Sequence, residues 1–338
     1  MSTYFKRTMK RYFLLVSNSI DIQLGTNIIK EYKQIFSDPD GSEKKGDVLI
    51  PTIEEALPYL KDMIEKAKAK AKKPKKAKKW DFATSPHAEF GKTFDDTLVA
   101  FLKWARREKG GTKDINVSKA FRRLESYAEW MDDTGKDLVE PPLTASSIKT
   151  ALGACGMTAG IDKSGDLGFM WWLDVSKMDR KIIKDKPPVE MLRAFVWYSH
   201  YLLYNDTAQE KGMTIVENVD KLGLIDSFTL IPAQVATKLD RLTIGVLPIK
   251  MKAIYMLDAP AWINILLGIM SMFMSKKMKE RMVIIKDWNK LQDYVPAELI
   301  PKGFGKLEGS FEGDLVEDYI SSIEPKSHKY DLSQNNTK

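Results

Sequence analysis

Residues 247–281, LPIKMKAIYMLDAPAWINILLGIMSMFMSKKMKER, constrain this chain more than any other stretch. They read as a strand bearing two lysines, then an uncharged apolar helix, then a basic helical turn. Lys250 and Lys252 are two apart, so on a strand they share one face. Lys277 and Arg281 are four apart, so on a helix they share one face. The seventeen residues between Asp258 and Lys276 carry no charge. An apolar element bracketed by cations suits a protein that meets an anionic membrane while handling something greasy.

Three readings of the apolar helix compete. A membrane span would rise only ~26 Å at 1.5 Å per residue, against a hydrocarbon core of ~30 Å. The helix also holds Asn264, Gly268 and two serines, and it follows a strand closely. Plain core would need covering on every side, because Trp262, Ile263, Ile265, Leu266, Ile269, Met270, Phe273 and Met274 encircle it. A lid over a lipid pocket uses two apolar faces, one lining the cavity and one meeting the bilayer. A Met-rich surface suits such a deformable wall.

The same residues carry a resemblance. The order Pro248, Lys250-Met251-Lys252, Asp258-Ala259-Pro260, apolar helix, Lys277 to Arg281, Ile300-Pro301 and Gly303-Phe304-Gly305 is similar to the second half of a CRAL-TRIO lipid-binding domain. Weaker similarity reaches back to about Asp95. The stretch DTLVAFLKWARREKGGTKDINVSKAFRRLESYAEWM resembles the helical lobe that precedes the lipid domain in that family. Three positions depart from its pattern: Asp258 stands where Asn is usual, Ser271-Met272 replaces Lys-Pro, and Lys306 replaces a final Gly. The resemblance implies an α/β fold: a helical N-terminal lobe, then a mainly parallel sheet with flanking helices and an apolar lid helix. It also implies that Lys250, Lys252, Lys277 and Arg281 bind a phosphoinositide headgroup.

Composition bounds the rest. The net charge of +7 is local, since residues 66–79 hold nine lysines and no acid, and without them the remainder stands at −2. One cysteine, Cys155, excludes an intramolecular disulfide and a Cys-based zinc site, and fits a reducing compartment. The first twenty residues carry Lys6, Arg7, Lys10 and Arg11 opposite an apolar face. That pattern fits an ordinary amphipathic helix, a membrane-surface helix or a mitochondrial presequence.

Four regions separate along the chain: an N-terminal extension with a Lys-rich linker (1–90), a helical lobe (91–159), the lipid-binding domain (160–310) and a flexible tail (311–338). The Lys-Ala tract has no apolar face and reads as a removable linker. It lacks interleaved aromatic side chains, so no specific nucleic-acid partner is expected. The lobe is expected to be helical throughout, broken at Gly110-Gly111. Strands are expected at Phe169–Val175, Met213–Val219, Ile249–Leu257 and Met282–Ile285, with a long aromatic helix at Val189–Asn205. Strands separated by helices imply parallel pairing.

No catalytic constellation stands out, whether nucleophile elbow, phosphate-binding glycine loop or His-Glu-x-x-His motif. His200 reads as a hydrogen-bonded structural histidine. The Asp162–Leu173 run lacks both the Gly and the Glu of a calcium loop. The expectation is a non-enzymatic cytoplasmic carrier, transiently membrane-associated, needing no cofactor or metal. Its partners would be a tocopherol-, retinoid- or phospholipid-like ligand and phosphatidylinositol phosphates. The alternative is a lipid-sensing adaptor that recruits partners through its basic extension. The strands and helix are apolar beyond what one core layer needs, so a closed pocket of ~300 Å³ or more is expected. Val216, Leu239, Leu242, Ile249, Met251, Ile254, Ile263, Leu266, Ile269 and Phe273 would line it.

Overall fold

A computed structural model describes residues 44–71, 79–81, 85–109, 112–140, 142–186, 188–220, 222–223, 238–271, 274 and 276–322. The main sheet has five strands in the order β4 (Met157–Ile161), β5 (Phe169–Asp174), β6 (Met213–Asn218), β7 (Met251–Leu257) and β8 (Met282–Ile285). Only β4 is antiparallel; the other pairs run parallel, as alternation of strands and helices requires. Each strand places alternate residues on opposite faces. Phe169, Trp171 and Met213 belong to one apolar cluster with the Pro188–Tyr204 helix, where Trp171 stacks on Tyr198 at 4.7 Å. Met170, Trp172, Val216, Tyr255, Leu257 and Ile285 form a second cluster with Trp288, Leu291, Ile300 and Phe304.

The amino-terminal lobe is not all helical. Leu49–Ile50 (β1), Arg106–Lys109 (β2) and Thr112–Asn116 (β3) form a three-stranded antiparallel sheet in the order β1-β3-β2. The helix begun at Phe94, under a Thr93–Asp96 capping box, ends at Trp104. Two glycines between short polar runs specify a hairpin as well as a helix stop, and here the hairpin prevails. Asn116 then caps the Val117–Asp132 helix by accepting from Lys119 N.

Two expected boundaries do not survive the packing. The Ile53–Lys70 helix buries Ala56, Leu60 and Ile64 in the core that holds Leu98, Phe101 and Leu124. Trp80 is buried and stacks on Phe121 at 5.5 Å, while Lys79 pairs with Glu125 and Glu129 at 2.9 Å each. The described residues of this stretch, 53–71, 79–81 and 85–90, therefore pack into the lobe rather than standing apart as a removable extension. The expected tail is also packed at its start. Val316 and Ile320 are buried, and Tyr319 lies among Phe90, Trp197 and Tyr201.

A buried polar chain joins the two lobes. His200 Nδ1 bonds the Val196 carbonyl at 2.7 Å, so Nε2 accepts from Tyr127 Oη at 2.8 Å. His87 contacts Tyr204 Oη and Thr97 Oγ1. Burial lowers the His87 pKa to about 3 and that of His200 to about 4, so both rings are neutral at pH 7. His200 thus has the structural place expected of it.

Candidate functional site

Lys250 immediately precedes β7 and Lys252 lies within it. Lys250 is half-buried and Lys252 exposed. Burial first, and then the nearby charges of Lys252, Arg106 and Lys277, lower the Lys250 pKa. Three cations thus lie close enough to Lys250 to oppose its charge. Among the described residues, no carboxylate pairs with Arg106, Lys250 or Lys252. Lys277 is exposed on the Lys276–Arg281 helix. Arg281, half-buried, lines a small, partly open depression that encloses about 20 Å³, with Arg123, Thr243, Ile244, Ile249, Met251 and Met278. The structure therefore brings Lys250, Lys252 and Lys277 together, with Arg281 beside Ile249 and Met251, which flank Lys250. Arg106 was missed because its stretch reads locally as helix; only the β2–β3 pairing brings it to the site.

One wall of the depression is fixed from the amino-terminal lobe. Arg123 is buried on the Val117–Asp132 helix. Its guanidinium donates to the carbonyls of Ile244, Gly245 and Leu247 at 2.7, 2.6 and 2.9 Å. Those carbonyls end a π-helical turn, Arg241–Val246, whose last acceptors lack partners of their own. The Trp104 ring covers the guanidinium at 5.0 Å.

The expected pocket residues divide between two faces. Ile254 is buried with Met274 and Met278, and Ile215, Ile244, Met251, Met256 and Met282 pack against that group. Ile249, Leu242 and Ile263 are buried in the main core, with Leu239 and Met251 partly buried against it. Val216 was misplaced: it points to the opposite face, buried with Trp172 and Trp288. The side chains of Leu266, Ile269 and Phe273 lie outside the described residues. Around Ala261–Met270, Ala261, Asn264 and Gly268 are exposed while Ile263 is buried.

Glu217 was not foreseen. It sits on β6 between Leu173 and Met256 in register, on the face shared with Ile215. Part of its surface remains open, yet enclosure of its carboxyl, with Asp240 nearby, pushes the pKa up to about 7. A single acid in an apolar strand leaves little sequence signal of a site.

Behind the sheet, the Gly-Phe-Gly run closes the domain. Phe304 meets Trp172 edge to face at 4.9 Å. Gly305 has φ +54°, its amide donates to Asp174 Oδ2 at 3.1 Å, and a Cβ there would sit 2.2 Å from the Trp288 ring. Only glycine fits.

Among the described residues no group of three or more His, Cys, Asp or Glu side chains forms a metal site, and no helix is long and apolar enough to cross a membrane. Compared with known proteins, residues 153–305 match the CRAL/TRIO domain family. Residues 153–305 thus match that family and its fold, as the resemblance implied, and the family is one of lipid-binding and lipid-transfer proteins. Among solved structures, the crystal structure of Sfh5 is similar, at 14% identity and TM-score 0.46, covering 82% of this chain and 99% of that one.

Proposed function

We propose that this CRAL-TRIO chain is a non-enzymatic carrier that holds one hydrophobic, tocopherol-, retinoid- or phospholipid-like ligand and exchanges it at phosphoinositide-containing membranes on the cytoplasmic side. The observation that carries the reading is the gathering of Arg106, Lys250, Lys252 and Lys277 in a chain whose neighbouring helix has no charge. Lys250, Lys252, Lys277 and Arg281 would take the headgroup phosphates, joined by Arg106. Leu239, Leu242, Ile249, Met251, Ile254 and Ile263 would line the ligand site.

The physical sequence is short. Phosphate pairing holds the protein at the surface at ~1 kcal/mol per cation. The apolar helix then shifts, the sheet face opens and the ligand exchanges. No bond is made or broken. The membrane acts only through its different affinity for open and closed states.

Transfer of a fluorescent lipid between vesicles tests this. Acceptor vesicles containing phosphoinositide should receive the lipid faster than neutral ones. Equal rates would remove the phosphoinositide part, and no transfer from either would remove the carrier reading. Solvent extraction and mass spectrometry of the purified protein would identify the bound lipid.

A further inference from the structure

We propose that Lys306, bridging Asp220 and Asp258, latches the hinge of the apolar helix and thereby sets how fast a lipid enters and leaves. Asp258 lies between the end of β7 and Pro260, where the Ala261–Met270 helix begins. Among the described residues it is the one non-glycine at positive φ, +54°. That region is disfavoured for L side chains, though Asp tolerates it better than most. Its amide still donates to the Ile285 carbonyl at 2.9 Å, so the backbone leaves the sheet at this residue. Its carboxyl accepts from Lys306 Nζ at 2.8 Å and from Trp288 Nε1 at 3.3 Å.

The same ammonium lies 3.2 Å from Asp220, just past the end of β6, and 5.4 Å over the Trp288 ring. Two residues beyond Asp220, the Leu222 carbonyl accepts from Trp262 Nε1 in the first turn of the apolar helix, at 3.0 Å. One lysine thus joins the end of β7, from which that helix departs, to the segment after β6 whose Leu222 carbonyl holds the helix's first turn. Its own backbone is anchored by Gly305, so its position is set from the rigid side. The two departures from the family pattern at this corner, Asp258 and Lys306, compensate each other as an ion pair.

The latch is built to release. The Lys306 side chain is 54% exposed and those of Asp258 and Asp220 are 36% and 21% exposed. Exposed pairs break and re-form easily and weaken with salt. Their loss should change an open-to-closed ratio about two- to fivefold.

The proposal rests on the carrier reading, so its test must separate the two. The full chain is compared with Lys306→Gln, Asp220→Asn and Lys306→Arg, using a fluorescent lipid and neutral phosphatidylcholine vesicles to silence the basic cluster. Lys306→Gln should transfer about two- to fivefold faster at low salt. High salt should raise the parent toward the variant and leave the variant unchanged. Asp220→Asn should fall between, and Lys306→Arg should match the parent. Amide exchange over residues 258–264 is measured in parallel and should quicken in Lys306→Gln. If transfer proceeds but the four proteins match, the latch is wrong and the carrier stands. If nothing transfers, the carrier reading fails, and unchanged amide exchange would then overturn the latch as well. Should Lys306→Gln not fold, Asp220→Asn against Lys306→Arg decides by the same readouts.

Discussion

Arg123 Nη1 donates to the Gly245 carbonyl at 2.6 Å, and through that bond the amino-terminal lobe holds a wall of the candidate pocket. Arg123→Ala should strand the carbonyls of Ile244, Gly245 and Leu247 at the end of a π-helical turn. Several charge-assisted bonds in a buried setting imply a loss of roughly 3 kcal/mol. Arg123→Lys should recover less than half, because an ammonium lacks the planar fork that reaches three carbonyls. Denaturant midpoints of the two variants against the parent measure this.

Truncation should be far more damaging than a flexible extension would suggest. Removing residues 1–90 strips Leu60, Ile64, Trp80 and His87 from the lobe core. Cooperative thermal unfolding should be lost. Leu60→Ala alone should cost ~2–5 kcal/mol.

The buried histidines make the lobe junction acid-sensitive. Their folded pKa values, about 3 and about 4, lie below the usual 6.5. The folded state therefore binds fewer protons than the unfolded chain in that interval. Their contribution is fully present above pH 6.5 and is lost as pH falls toward 4, by on the order of 1 kcal/mol per pH unit for each ring. His200→Gln should flatten that slope in a series of denaturant titrations.

Glu217 has the opposite sign. Its folded pKa, about 7, exceeds the ordinary 4.5. Its contribution is present below pH 4.5 and disappears as pH rises through 7, where an enclosed carboxylate must form. Glu217→Gln should therefore match the parent at low pH and exceed it above pH 7, by on the order of 3 kcal/mol. Melting curves at the two ends of that range decide it, and equal gains at both would mean the carboxyl is solvated.

Much of the architecture was legible because its determinants are local. Runs such as Phe169–Asp174 and Met213–Asn218 alternate with helical stretches, and that order forces parallel pairing. Which face a strand residue takes was not legible. A parallel sheet is apolar on both sides, so Val216 and Ile215 look alike in sequence while pointing apart. Arg106 reaches the basic cluster only through hairpin pairing. The Lys306–Asp258 pair spans 48 residues and unites two positions that seem merely aberrant when read singly.

The basic cluster gives the most discriminating prediction. Replacing Lys250, Lys252, Lys277 and Arg281 with Ala should leave ligand affinity nearly unchanged, since Lys252 and Lys277 are exposed and Lys250 is only half-buried. Binding to phosphoinositide vesicles should weaken by on the order of 1 kcal/mol per residue, and the loss should shrink as salt rises. Arg106→Ala should act in the same direction although it lies in the other lobe. Arg281→Lys should hurt less than Arg281→Ala, because the charge persists while the fork is lost. Arg281 also lines the depression beside Met251 and Met278, so its replacement is the one most exposed to a packing artefact. Vesicle sedimentation over a salt series separates the causes, since a packing defect is insensitive to ionic strength. A quadruple variant that binds like its parent at low salt would reduce the cluster to an ordinary solvated surface and remove the membrane step from the mechanism.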